Sequence, residues 1–119
     1  MALLAETGEE ALFVGDIIRL PDNYDLGPDT GPVDLIVFEP NDEECGLGLL
    51  VISGYKSGLI YALLPTESMK GGSRAICIDW LRREWDRWFC YAHGDGMKVM
   101  DLNKTRVFGW DKREIVETA

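Results

Sequence analysis

Three carboxylates, Asp79, Glu84 and Asp86, fall close together in the stretch DWLRREWD. Paired carboxylates can divide acid and base roles in a reaction. Here Arg82, Arg83 and Arg87 are interleaved with them, which suits surface ion pairing better than proton transfer. The single histidine, His93, stands at a turn beside Gly94, where a surface role is the simpler reading than that of a general base. No glycine-rich phosphate loop, nucleophile elbow or HExxH is present. Cys45, Cys77 and Cys90 are odd in number and lack CxxC spacing, so they mark neither a disulfide framework nor a zinc site. Cys77 and Cys90 lie in apolar runs as expected core thiols. The segment from Asp22 to Gly27 only loosely suits the oxygen pattern of a calcium loop. The chain is expected to be no enzyme and to hold no metal or cofactor.

The chemistry that remains is recognition. Net charge is −9, and it is unevenly spread. Residues 1–44 hold twelve acids and one base, Arg19; residues 45–119 hold nine acids and eleven bases. The first third of the chain therefore supplies an anionic field that repels nucleic acid and anionic membranes and draws basic partners. Asp22, Asp25, Asp29 and Asp34, then Glu39, Asp42, Glu43 and Glu44, are the candidate partner-binding carboxylates. Trp80, Trp85 and Trp88 lie within nine residues. Trp80 and Trp88 are expected to anchor the core. Trp85, between Glu84 and Asp86, is the candidate for an exposed aromatic patch of the kind that dominates interface energy.

The elements that position these groups are short. The organising stretch is GLGLLVISGYKSGLIYALL, residues 46–64. It reads as two apolar strands, Leu47–Ser53 and Leu59–Leu64, joined through Gly54, Tyr55 and Gly58, and its nearly continuous apolar character predicts a central hairpin covered on both faces. A strand is expected over Asp16–Leu20, ended by Pro21, and another over Val33–Glu39. Asp79 could cap a short helix in which Leu81, Trp85, Trp88 and Phe89 share one face. A strand follows it, and residues 97–110 read as a second hairpin turning at Asn103-Lys104-Thr105. At 46% hydrophobic and 28% charged residues, the chain has the makings of a folded core. The predicted fold is mainly β (α+β): a small bent antiparallel sheet or partly open barrel of six to seven strands with one short helix. One domain over residues 1–119 is expected, with 1–10 as a loose acidic lead-in and the polar tail from Asp111 a short helix or frayed. No apolar run approaches the roughly 20 residues of a membrane helix, and the first residues lack the basic start of a secretion signal, so a cytoplasmic setting is expected.

Two segments carry a likeness. The run GLLVISGYKSGLIYALLPTES, with Ile52, Ser53, Gly54, Tyr55, Lys56 and Gly58, is followed by ICIDWLRREWDRWFCY, with Ile78, Trp80, Leu81, Trp85 and Trp88. Together, over Gly46–Tyr91, they resemble the Imm45 immunity proteins of bacterial polymorphic toxin systems. The chain departs from that pattern at Glu84, where the family carries an amide, and after Tyr91, where Ala92-His93-Gly94 replaces a turn containing proline or cysteine. The resemblance implies a small cytoplasmic protein that binds and neutralises a cognate toxin, and no catalytic motif. The expected partner is thus a protein toxin with a basic surface, met by a monomer or small homo-oligomer. The alternatives are a small-ligand- or peptide-binding β domain without catalysis, and an enzyme built on the Asp79, Glu84 and Asp86 group.

Overall fold

A computed structural model describes residues 2–24, 31–54 and 56–113. Among the described residues are ten short strands: β1 (Ala2–Leu3), β2 (Ala11–Leu12), β3 (Asp16–Leu20), β4 (Val33–Phe38), β5 (Gly48–Val51), β6 (Ile60–Leu63), β7 (Ile76–Cys77), β8 (Cys90–His93), β9 (Gly96–Val99) and β10 (Arg106–Gly109). Two short helices, α1 (Ile78–Arg83) and α2 (Trp85–Trp88), meet at Glu84. Six strands form one antiparallel sheet in the order β1-β10-β3-β4-β5-β6, open at both edges. The remaining strands pair as β2 with β7 and β8 with β9. The mainly β, bent-sheet expectation therefore holds, with two helices in place of one.

The period-2 alternation of strands decides the faces. Ile18 and Leu20 on β3, Val33, Leu35 and Val37 on β4, Leu49 and Val51 on β5 and Val107 on β10 all belong to one buried cluster. Ile76, Ile78, Trp80, Leu81, Trp85 and Phe89 join them from β7, the helices and the residue just after α2. The other face carries the cross-strand partners Ile17 with Phe108 and Ile17 with Ile36.

Several expectations change. The 46–64 hairpin forms, but β6 is the outermost strand of the sheet and not its centre. Leu59, Ile60 and Leu63 remain 43–57% exposed, and among the described residues no further strand pairs with that edge. Residues 97–110 do not pair with each other. Instead β9 returns to β8, and β10 is inserted between β1 and β3. The opening residues are not loose. Leu3 pairs with Arg106, and Leu4 is fully buried. Arg82, expected to face water, donates from Nε to the Leu4 carbonyl (2.9 Å) and from Nη2 to the Thr7 carbonyl (2.8 Å), fastening α1 to this segment. Asp79 does not cap α1; Cys77 holds that position without a side-chain bond. The thiols of Cys45, Cys77 and Cys90 are free and only half-buried. The tail begins with a 3-10 turn over Trp110–Lys112.

Candidate functional site

The loop between β4 and β5 concentrates acid on the surface. Pro40 ends the ladder because it has no amide hydrogen to donate. Asn41 then takes a left-handed conformation, φ 58°, which Asn tolerates better than most residues. Its N–H donates to Glu39 Oε2 (3.0 Å), and the Glu44 N–H donates to Asp42 Oδ1 (2.9 Å). These local bonds fold the loop tightly and leave Asp42, Glu43 and Glu44 exposed.

Arg74 is the brace that the sequence did not reveal. Its Nε donates to Glu39 Oε1 (2.7 Å), and Nη2 pairs with Glu39 Oε2. Nη1 and Nη2 reach the carbonyls of Cys45 (3.2 Å) and Gly46 (3.4 Å). One guanidinium thus joins the beginning and end of the acidic loop. Its hydrogen bonds hold the Glu39 carboxyl below the usual glutamate range, with help from the Asn41 N–H. Among the described residues, Glu39 is the one carboxylate of this loop with an ion-pair partner. Nothing in TESMKGGSR marks Arg74 for this position; the contact spans 35 residues.

The other candidates separate. Asp22 follows β3 at the opposite end of the sheet from the 39–44 loop. The length of β4, roughly 17 Å for its five residue steps, divides them. Asp25, Asp29 and Tyr55 lie outside the described residues, as does the second half of the loosely calcium-like segment 22–27. Asp34 is not a docking carboxylate. It is 3% exposed, paired with Arg19 Nε (2.7 Å) and Arg113 Nε (2.9 Å). Trp85 is not a surface aromatic either. It is 1% exposed, its ring stacks on Phe89 with centroids 3.8 Å apart, and its indole N–H donates to the Met100 carbonyl (2.8 Å). Spacing with Leu81 and Phe89 turns it inward despite its charged neighbours. Trp80 is buried as expected and Trp88 is half-buried against the core, their rings 6.2 Å apart. Gly54 and Gly58 both adopt positive φ in the β5–β6 connection, as the hairpin reading required.

Asp79 and Asp86 are exposed, and Asp79 pairs with Arg82 (3.4 Å). His93 lies exposed at the end of β8, edge-on to Tyr91. Asp79 and Asp86 are surface charges, and His93 is an exposed strand-end side chain.

The exposed aromatic that the sequence placed on the helix lies elsewhere. The strands put the end of β10, the start of β3, the end of β4, the start of β5 and the end of β6 at the same end of the sheet. That end carries the 39–44 loop, the tight Phe13–Asp16 turn and Trp110. Phe13, Val14 and Trp110 are each more than half exposed.

A family profile for Immunity protein 45 matches residues 4–100, well beyond the two segments of sequence likeness. The chain belongs to the Immunity protein 45 family. Comparison with curated proteins and with solved structures gives no match. In this immunity protein the family segments build the core and the sheet edge: Trp80, Leu81 and Trp85 are buried. The acidic loop lies between β4 and β5, ahead of both segments.

Proposed function

We propose that this immunity protein neutralises a cognate protein toxin by setting the acidic end of its sheet against a basic surface of that toxin. The supporting observation is the 39–44 loop: Asp42, Glu43 and Glu44 are exposed on a connection whose shape Arg74 and Glu39 hold in advance. A braced loop loses little conformational freedom when it docks, and its charge steers encounter. Phe13, Val14 and Trp110 on the same end give apolar contact beside the charges. Glu39 serves the loop's shape, whereas Asp34 and Trp85 serve the fold. A small-molecule reading has less behind it, since the groove beside the Phe13–Asp16 turn opens to solvent along charged residues.

The test is rescue. The chain is co-expressed in bacteria with the protein encoded immediately beside its gene. Restored growth and co-purification support the reading; a harmless neighbour, or no complex, removes it. Within a complex, Asp42→Asn, Glu43→Gln and Glu44→Gln together should weaken binding by roughly tenfold through slower association. Unchanged affinity would move the interface away from this loop.

A further inference from the structure

The same end of the sheet holds an open groove of about 440 Å³ between the Phe13–Asp16 turn and the end of β10. Leu12, Val107 and Phe108 contribute its apolar lining, and Glu9, Asp16 and Asp111 outnumber Lys112 among its charged groups. Gly109 stands where two of those carboxylates converge. From the point that a Cβ on Gly109 would occupy, Asp111 Oδ1 is 2.7 Å away and Asp16 Oδ1 is 3.9 Å away. The backbone of Gly109 has φ −73°, a value open to any residue. What the glycine supplies here is room. Asp16 is held in place by its other oxygen, Oδ2, which accepts the Phe13 N–H at 2.8 Å. Two like charges thus border one small gap, an arrangement that a cation between them would relieve.

The surrounding rings select the kind of cation. Arg19 already lies over the Phe108 ring at 4.9 Å, and Arg113 over the Trp110 ring at 5.6 Å. Aromatic faces at this end of the molecule therefore already take guanidinium groups. Phe13, exposed on the groove wall, offers a further ring. A planar guanidinium can stack on a ring while its N–H groups reach two carboxylates, which a lysine ammonium cannot match. We infer that this groove seats an arginine side chain of the toxin, between Asp16 and Asp111 and against Phe13. The inference rests on the docking reading above and adds to it a specific anchor next to the steering loop.

Gly109→Ala tests it with little risk to the fold, because the added methyl meets the movable end of an exposed side chain. Asp111→Asn is the second variant and removes charge without filling the gap. Both are compared with the Asp42, Glu43 and Glu44 neutralised variant, for binding to the toxin encoded beside this gene. Each groove variant should keep the parent thermal transition and weaken the complex at least tenfold, mainly through faster dissociation. The loop variant should act mainly on association. If the loop variant weakens binding and both groove variants leave affinity unchanged, the arginine seat is overturned and the docking reading stands. If the parent protein forms no complex, both fall.

Discussion

Asp34 follows Val33 and precedes Leu35 on a strand with regular alternation, and on sequence grounds its carboxylate belongs outside. It does lie on the face away from the main core. That face is covered there, and Asp34 and Arg19 are opposite one another on neighbouring strands. The carboxylate takes two bonds from Arg19 (2.7 and 2.9 Å) and one from Arg113, while its own N–H donates to Ser53 Oγ (2.8 Å). Removing one member of such a buried group leaves charge without its partner. Asp34→Ala should cost about 3–5 kcal/mol in urea unfolding, whereas replacing Arg19 and Asp34 together by apolar residues should cost far less. A loss under about 1 kcal/mol for the single change would mean that the cluster is well solvated. Glu39 gives a second prediction. Its folded-state titration lies below the unfolded one because of Arg74. The pairing therefore supports the fold above the unfolded carboxylate range and is lost as pH falls through the lowered folded value. In a carbon-detected NMR titration, Glu39 should titrate below ordinary glutamates, and Arg74→Ala should raise it toward them. No movement on that substitution would assign the shift to the Asn41 N–H instead. Residue type and local spacing placed Trp80 inside. The charged neighbours of Trp85 and the alternation around Asp34 misplaced both residues, whose partners Met100 and Arg113 lie 15 and 79 residues away.

Strand identity was more legible than strand pairing. Asp16–Leu20 is the strand read from the sequence, and Val33–Phe38 falls one residue short of it, because alternation and bounding prolines are local signals. The partner of a strand is not local. RVFG carries the same pattern whether it folds back on residues 97–102 or slots beside β3. What favours the second is burial: Val107 reaches the main core and Phe108 pairs with Ile17 on the other face. The end of β4 shows how close the sheet packs beside the acidic loop. The Phe38 ring lies directly over Gly48, so close that a Cβ there would overlap it, and Leu63 Cδ2 would be 3.0 Å from that Cβ. Gly48→Ala should displace the ring, cost about 1–3 kcal/mol, and disturb the Glu39–Arg74 brace that begins one residue later. Thermal unfolding and the Glu39 titration would report the two effects. A variant with parent stability would show that Phe38 can swing clear at no cost. The β6 strand is legible in type yet not in place, since an apolar run reads the same on a covered strand and on an open edge. Its Tyr61 hydroxyl donates to the Trp88 carbonyl (2.9 Å) and burial pushes its pKa up. That bond ties the edge to α2.

At the scale of the molecule, the sequence told the sign of the charge and not its geography. Asp22 and the 39–44 loop are held apart by the length of β4, and the loop shares its end of the sheet with Phe13, Val14, Asp16, Trp110 and Asp111 instead. A surface of this kind predicts that association with a basic partner slows steeply with ionic strength, by about tenfold between 0.01 and 0.15 M salt. Dissociation should change little. Stopped-flow mixing would measure both, and salt-independent association would count against electrostatic steering. The position of β10 has a consequence in time. Among the described residues it is the last strand to be synthesised, yet it fills the gap between the first strand and the third. At about 5–20 residues per second, synthesis needs roughly 5–20 s to reach Gly109, and until then β1 and β3 lack the strand that joins them. A newborn chain can shape its hairpin, helices and acidic loop during that interval, but the groove beside Gly109 does not yet exist. The groove beside Gly109 is therefore a property of the finished sheet, complete only when the last strand of the chain order has joined it.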